Sequence, residues 1–169
     1  MSNLAGGCLC GAVRYELSGR PRLSVSCHCL ECQYVSGGGP AHAMVMRVEG
    51  VTITNGRTKE HWTISARGSS VARLFCADCG TPLFAKNESH PEFLAVKAGS
   101  LDDPRQFRAN ANIWTKSAQP WHYLDSALPR FKQDPELGAT AILELARASV
   151  VKIGRAIGLG AEGGRSRIR

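Results

Sequence analysis

Seven cysteines carry the chemistry of this chain, in three groups: Cys8-Leu9-Cys10, Cys27-His28-Cys29-Leu30-Glu31-Cys32 and Cys76-Ala77-Asp78-Cys79. A structural zinc is closed by four thiolates, whereas a reactive zinc keeps three protein ligands and one position for water or substrate, so seven divides into four and three. A Cys-x-Cys and a Cys-x-x-Cys brought together make one tetrahedral site. Cys76 to Cys79 is followed by Gly80, which permits the tight turn of a metal knuckle, and Cys8 and Cys10 suit the other half. Cys27, Cys29 and Cys32 fall within one short segment that offers no fourth cysteine. His28 lies among them, but in an extended segment its side chain points away from both neighbours, so a hydrogen bond near the site is expected before ligation. Close spacing and an odd count favour metal ligands over disulfides.

Three thiolates on Zn²⁺ leave a site of formal charge −1, a weaker acid toward bound water than an imidazole site. Such a site suits another task, which is to hold a substrate thiol as thiolate while it attacks a nearby carbonyl. His42, after the loop Ser36-Gly37-Gly38-Gly39-Pro40, could move protons, although an ordinary surface histidine is the plainer expectation. Trp114, Trp121 and Phe131 could wall a pocket or belong to the core. Two other classes compete. A zinc-stabilised protein-binding module would need no open metal, and a thiol redox protein would be expected to carry Cys-x-x-Cys at a helix start in a βαβ pattern, which is missing.

The elements that must position these residues read as short strands. Candidates are 12–17, 42–48, 51–54, 60–65, 72–75, 83–85 and 93–98, with one more in 110–116, separated by turn signals such as Asn55-Gly56, Gly68-Ser69 and Asp102-Asp103-Pro104. That spacing predicts antiparallel sheets. Asp134-Pro135 reads as a helix start, and Ile142, Ala146, Val150, Ile153 and Ile157 recur at helical spacing, so a helix is expected over about 135–157, with 158–169 lacking order. The division is thus a zinc domain over 1–136 and a C-terminal helix and basic tail over 137–169. The helix suits packing on the domain, a homodimer surface or a membrane surface.

At 169 residues with 7% aromatics and 18 glycines, the chain suits one turn-rich domain in which metal binding is part of folding. Its net charge of +7 is concentrated in the tail: residues 137–169 hold six Lys/Arg against Glu144 and Glu162, a net +4. No aromatics are interleaved with the basic residues, so no nucleic-acid partner is expected. No basic stretch leads into an apolar run at the start and no segment is long enough to span a bilayer, which gives a cytoplasmic expectation.

Three segments carry a family resemblance: Gly6-Gly7-Cys8-Leu9-Cys10-Gly11-Ala12-Val13-Arg14-Tyr15-Glu16, the group Cys27 to Cys32, and Phe75-Cys76-Ala77-Asp78-Cys79-Gly80-Thr81-Pro82-Leu83-Phe84. Together with Gly99 to Pro104 and Leu128 to Phe131, they make the chain resemble the glutathione-dependent formaldehyde-activating enzymes over about residues 5–136. The resemblance implies a mainly β, Mss4-like arrangement of antiparallel sheets and two zinc ions. It implies a structural zinc on Cys8, Cys10, Cys76 and Cys79 and a catalytic zinc on Cys27, Cys29 and Cys32. It also implies a carbon–sulfur lyase that joins a small thiol such as glutathione to a small aldehyde, giving S-hydroxymethylglutathione from formaldehyde. Gln33-Tyr34 departs from the family by standing where related sequences often carry basic residues.

Overall fold

The computed structural model describes residues 4–134; the helix expected over 135–157 and the basic tail lie outside them. The strands are β1 (Leu4–Gly7), β2 (Arg14–Leu17), β3 (Leu23–Cys27), β4 (Ala41–Arg47), β5 (Val51–Asn55), β6 (Thr58–Ile64), β7 (Ser70–Cys76), β8 (Pro82–Asn87), β9 (Phe93–Lys97) and β10 (Ala111–Ile113). One short helix, α1 (Leu30–Val35), follows β3. The protein is mainly β.

Two sheets form, a small one in the order β1-β2-β5 and a large one in the order β10-β3-β4-β9-β8-β7-β6. All pairs are antiparallel but one: β10 lies parallel to β3, with Ile113 opposite Cys27. The expected strands are present, and β1, β3 and α1 are additions to them. Asn55-Gly56, a hairpin signal by composition, instead carries the chain from the small sheet to the large one. Gly56 has a φ of +74°, and a Cβ there would overlap the Ala12 carbonyl.

The core fills the space between the sheets. Tyr15 and Leu17 from the small sheet, with Val13 just before β2, meet Met44, Met46, Phe84 and Val96 from the large one. Tyr15 packs edge-on against Phe84 with centroids 5.0 Å apart, and its hydroxyl bonds Ser100 Oγ at 2.7 Å. Gly6 is where β1 passes over this pair, and a Cβ would overlap the Tyr15 ring and the Ser100 carbonyl.

Because side chains alternate across a strand, register decides what the other face of the large sheet carries. Cys27 pairs with Ala41, Val25 with Ala43 and Leu23 with Val45; Ala43 pairs with Lys97 and Val45 with Ala95; Ala95 pairs with Ala85, and Ala85 with Arg73. That second face therefore carries Cys27, a floor of small and branched apolar residues, the buried Lys97 opposite Ala43, and Arg73.

Candidate metal centres

The four-cysteine group assembles from two turns distant in sequence. Cys8 and Cys10 lie in the β1–β2 turn, where Gly11 takes a φ of +79°; Cys76 ends β7, and Cys79-Gly80 form the turn into β8, with Gly80 at +72°. Cys8 Sγ is 3.4 Å from Cys10 Sγ, which is 3.8 Å from Cys76 Sγ, and all four sulfurs lie within 4.8 Å of one another. Zinc–sulfur bonds of about 2.3 Å in a tetrahedron place sulfurs about 3.8 Å apart, so the donor set fits a thiophilic divalent ion. Donors already aim at the sulfurs: the Val13 amide at Cys8 (3.1 Å) and the Thr81 hydroxyl at Cys79 (3.0 Å). The Thr81 hydroxyl, then its amide and that of Cys10, hold the Cys79 thiol down to about 6.

The three-cysteine group forms where a strand becomes a helix. Cys27 ends β3, Cys29 caps α1, its sulfur accepting from the Cys32 amide at 3.4 Å, and Cys32 lies in the first turn. The turn brings the three sulfurs within 4.8 Å of one another. In the protein alone, the Cys27 and Cys29 thiols, followed at a distance by the Lys97 and Arg73 charges, hold Cys32 down to about 3 against its burial. The same crowding pushes Cys27 up, through Cys29, Cys32 and then burial. Three sulfurs that share protons in this way can be thiolates together only with a cation among them.

Beside this group lies a cavity of about 600 Å³ over the second face of the large sheet. Its sulfur end is Cys27 and Cys29, its floor Leu23, Val25, Val45 and Val71, and its far end the polar turn residues Ser65, Ser69, Asn87 and Ser89. Trp114 forms a wall. It is the one non-glycine among the described residues with positive φ, at +57°, a conformation held by the hydrogen bond its amide donates to the Gln133 carbonyl and by the Thr115 hydrogen bonds to the Phe131 carbonyl.

The pattern in this chain characteristic of the glutathione-dependent formaldehyde-activating enzymes matches residues 3–117. The chain belongs to that family. Among curated proteins none matches. Among solved structures, a Rhodobacter sphaeroides protein is similar at 24% identity and a TM-score of 0.47, over 60% of this chain and 92% of that one.

In this family member the aromatic and histidine candidates separate. Trp114 reaches the cavity, Phe131 packs against the cluster of Val25, Ala111 and Ile113 without lining the cavity itself, and Trp121 is exposed. His42 points to the sheet face opposite Cys27, bonding Ser26 Oγ at 2.9 Å and leaning on the Phe107 ring, so it does not serve the sulfur group. His28 is fully buried and turned away from the sulfurs, as its place between Cys27 and Cys29 led one to expect.

Its partners were not legible. His122 Nε2 donates to the Gly38 carbonyl (2.8 Å), so its Nδ1 accepts, from the Gln119 amide (3.3 Å) and from His28 Nδ1–H (3.0 Å). His28 Nε2 is then an acceptor, yet Asn112 Oδ1 faces it at 3.4 Å while Asn112 Nδ2 has no partner. Turning that amide over pairs Nδ2–H with Nε2 and satisfies the imidazole, leaving Oδ1 in the unpartnered position. Gln33 completes the brace: its Nε2 donates to the His28 and Ser117 carbonyls at 2.8 and 2.7 Å. Gln33 thus faces inward beneath α1, with its amide engaged by the His28 and Ser117 carbonyls and by Gln119.

Proposed function

We propose that the protein is a zinc-dependent carbon–sulfur lyase that adds a small cellular thiol, such as glutathione, to a small aldehyde, such as formaldehyde. The observation that carries this reading is the three-sulfur group at one end of a 600 Å³ cavity whose other end is polar. In this reading Cys8, Cys10, Cys76 and Cys79 hold a structural zinc and Cys27, Cys29 and Cys32 a catalytic one. A zinc ion bound by the three sulfurs would supply a Lewis acid that keeps a fourth, incoming thiol deprotonated at neutral pH.

The chain's own residues bind and orient. The apolar floor of Val25, Val45 and Val71 accepts the carbon skeleton of a thiol, and Ser65, Ser69 and Asn87 offer hydrogen bonds to a polar extension reaching away from the sulfur. Trp114 shields the sulfur end from water. In the reaction the thiol sulfur forms a bond to the aldehyde carbon, the carbon–oxygen π bond opens, and the proton lost by the thiol ends on that oxygen, giving a hydroxymethyl thioether. No redox partner is required. Thiolates of this kind persist in a reducing compartment, which supports a cytoplasmic setting; among the described residues no helix is long and apolar enough to cross a membrane.

The test is binding and exchange together. Cobalt-substituted protein titrated with glutathione should show saturable changes in its sulfur-to-metal charge-transfer bands, absent in Cys29→Ser. Exchange between glutathione, formaldehyde and their adduct at equilibrium should be faster with wild type than with that variant. No spectral response to any cellular thiol and no excess exchange would remove the enzyme reading in favour of a zinc-stabilised binding module.

A further inference from the structure

We propose that Arg73 seats a carboxylate of the thiol substrate and is a specificity-determining residue of the cavity, an inference that rests on the thiol reading above. The register sets its position. Along one row of the sheet, Val45, Ala95, Ala85 and Arg73 stand side by side on β4, β9, β8 and β7. The two alanines leave the floor low between Val45 and Arg73, and Arg73 and Cys27 line the same cavity.

Two cations on this face have no ion pair among the described residues, Lys97 and Arg73; Lys97 is buried and does not line the cavity, whereas Arg73 does. Arg67 is already engaged: its Nε lies 2.9 Å from the Asp134 carboxylate. His90 lies 4.0 Å from Glu92. Arg73 is half-buried, and among the described residues no carboxylate comes within ion-pairing distance of it, although Glu31 lines the same cavity. Its one hydrogen bond is from Nη1 to Thr63 Oγ1 at 3.3 Å. A guanidinium has five N–H donors in a planar fork that matches a carboxylate with two parallel bonds, so most of its donor capacity remains for a ligand. A thiol with a carboxylate at the end of a flexible chain would engage both the sulfur group and Arg73 within one cavity.

The rival role is a counter-charge for the three thiolates, and it predicts no interest in the substrate's carboxylates. Calorimetric titration of the zinc-loaded protein with glutathione and with glutathione diethyl ester separates the two. Arg73→Gln should weaken glutathione about 10- to 100-fold and leave the ester, already weaker for wild type, unchanged. Arg73→Lys should fall between, with zinc per chain unaltered in both variants as the check on folding. Equal weakening of glutathione and ester assigns Arg73 to the counter-charge role and overturns the proposal, as does unchanged glutathione affinity in Arg73→Gln. If wild type itself binds no thiol, the thiol reading fails and takes this inference with it, a result that is distinct because no variant is needed to see it.

Discussion

The two cysteine groups use one kind of ligand for two ends, and chain separation makes the difference. Cys10 and Cys76 are 66 residues apart, and their sulfurs tie a turn of the small sheet to a turn of the large one. Cys27, Cys29 and Cys32 belong to a single strand-to-helix turn that the β3 ladder and α1 already define. An ion in the first group would close a long loop, so its binding energy would be folding energy; an ion in the second would close almost nothing, which in the proposed reading leaves the fold independent of it and a coordination position open to substrate. Their surroundings agree. The first is packed with hydroxyl and amide donors, and the second opens on a cavity.

The largest effect that tests this contrast is loss of the fold. Cys76→Ser should remove a closed site worth on the order of 10 kcal/mol, comparable with the whole stability of a domain this size. The variant, or wild type with a strong chelator, is expected to lose its cooperative thermal transition. A soluble Cys79→Ser protein with an unchanged melting temperature would reverse the assignment. Cys32→Ser should behave oppositely: metal analysis shows one ion fewer per chain and the thiol response disappears, while the melting temperature moves by less than about 5 °C.

A middle-sized effect concerns the brace behind the open site. His28→Ala deprives His122 and Asn112 of a buried partner and should cost about 2–3 kcal/mol in denaturant unfolding. Burial holds the His28 imidazole below its ordinary value near 6.5, so as pH falls the unfolded chain takes up the proton first. The stability carried by neutral, buried His28 is therefore whole above about pH 6.5 and is lost progressively below it. Wild type should lose more stability between pH 7 and 5.5 than His28→Ala does; equal slopes would mean that the brace does not depend on a neutral imidazole.

Cysteine spacing made the grouping into four and three legible, because a pair with one or two residues between its members can meet one ion whatever else the chain does. Strands that alternate over four or more residues were legible for the same local reason. Leu23-Ser-Val-Ser-Cys also alternates, but serine is its sole polar type, a weaker signal than that of the expected strands. The helix α1 could not be read: six residues hold less than two turns, and its cap is a cysteine rather than the usual Ser, Thr, Asp or Asn. The pairing of His28 with His122 spans 94 residues, and its contact with Asn112 depends on the parallel placement of β10 beside β3; no local pattern reports either. Arg73 is one basic residue among many until register sets it opposite Ala85.

The smallest effect isolates the surroundings of the closed site from its ligands. Thr81 accepts the Leu9 amide at 3.1 Å and gives its own hydroxyl hydrogen to Cys79 Sγ, so it links both cysteine pairs without binding the ion. Thr81→Val keeps the shape and removes that donor. The four sulfurs remain, and the fold should survive with metal saturated, but the Cys79 thiolate loses its leading stabilising contact. Zinc affinity of the closed site, read by competition with a chromophoric chelator, should drop about 10-fold, at the lower end of what such supporting contacts carry in other metal sites. The open site has no side-chain hydroxyl on any sulfur among the described residues, so its affinity should be the same in wild type and variant. A competition curve in which both ions weaken together would show that the two centres are coupled through the sheets, and the separation of folding metal from substrate metal would fall with it.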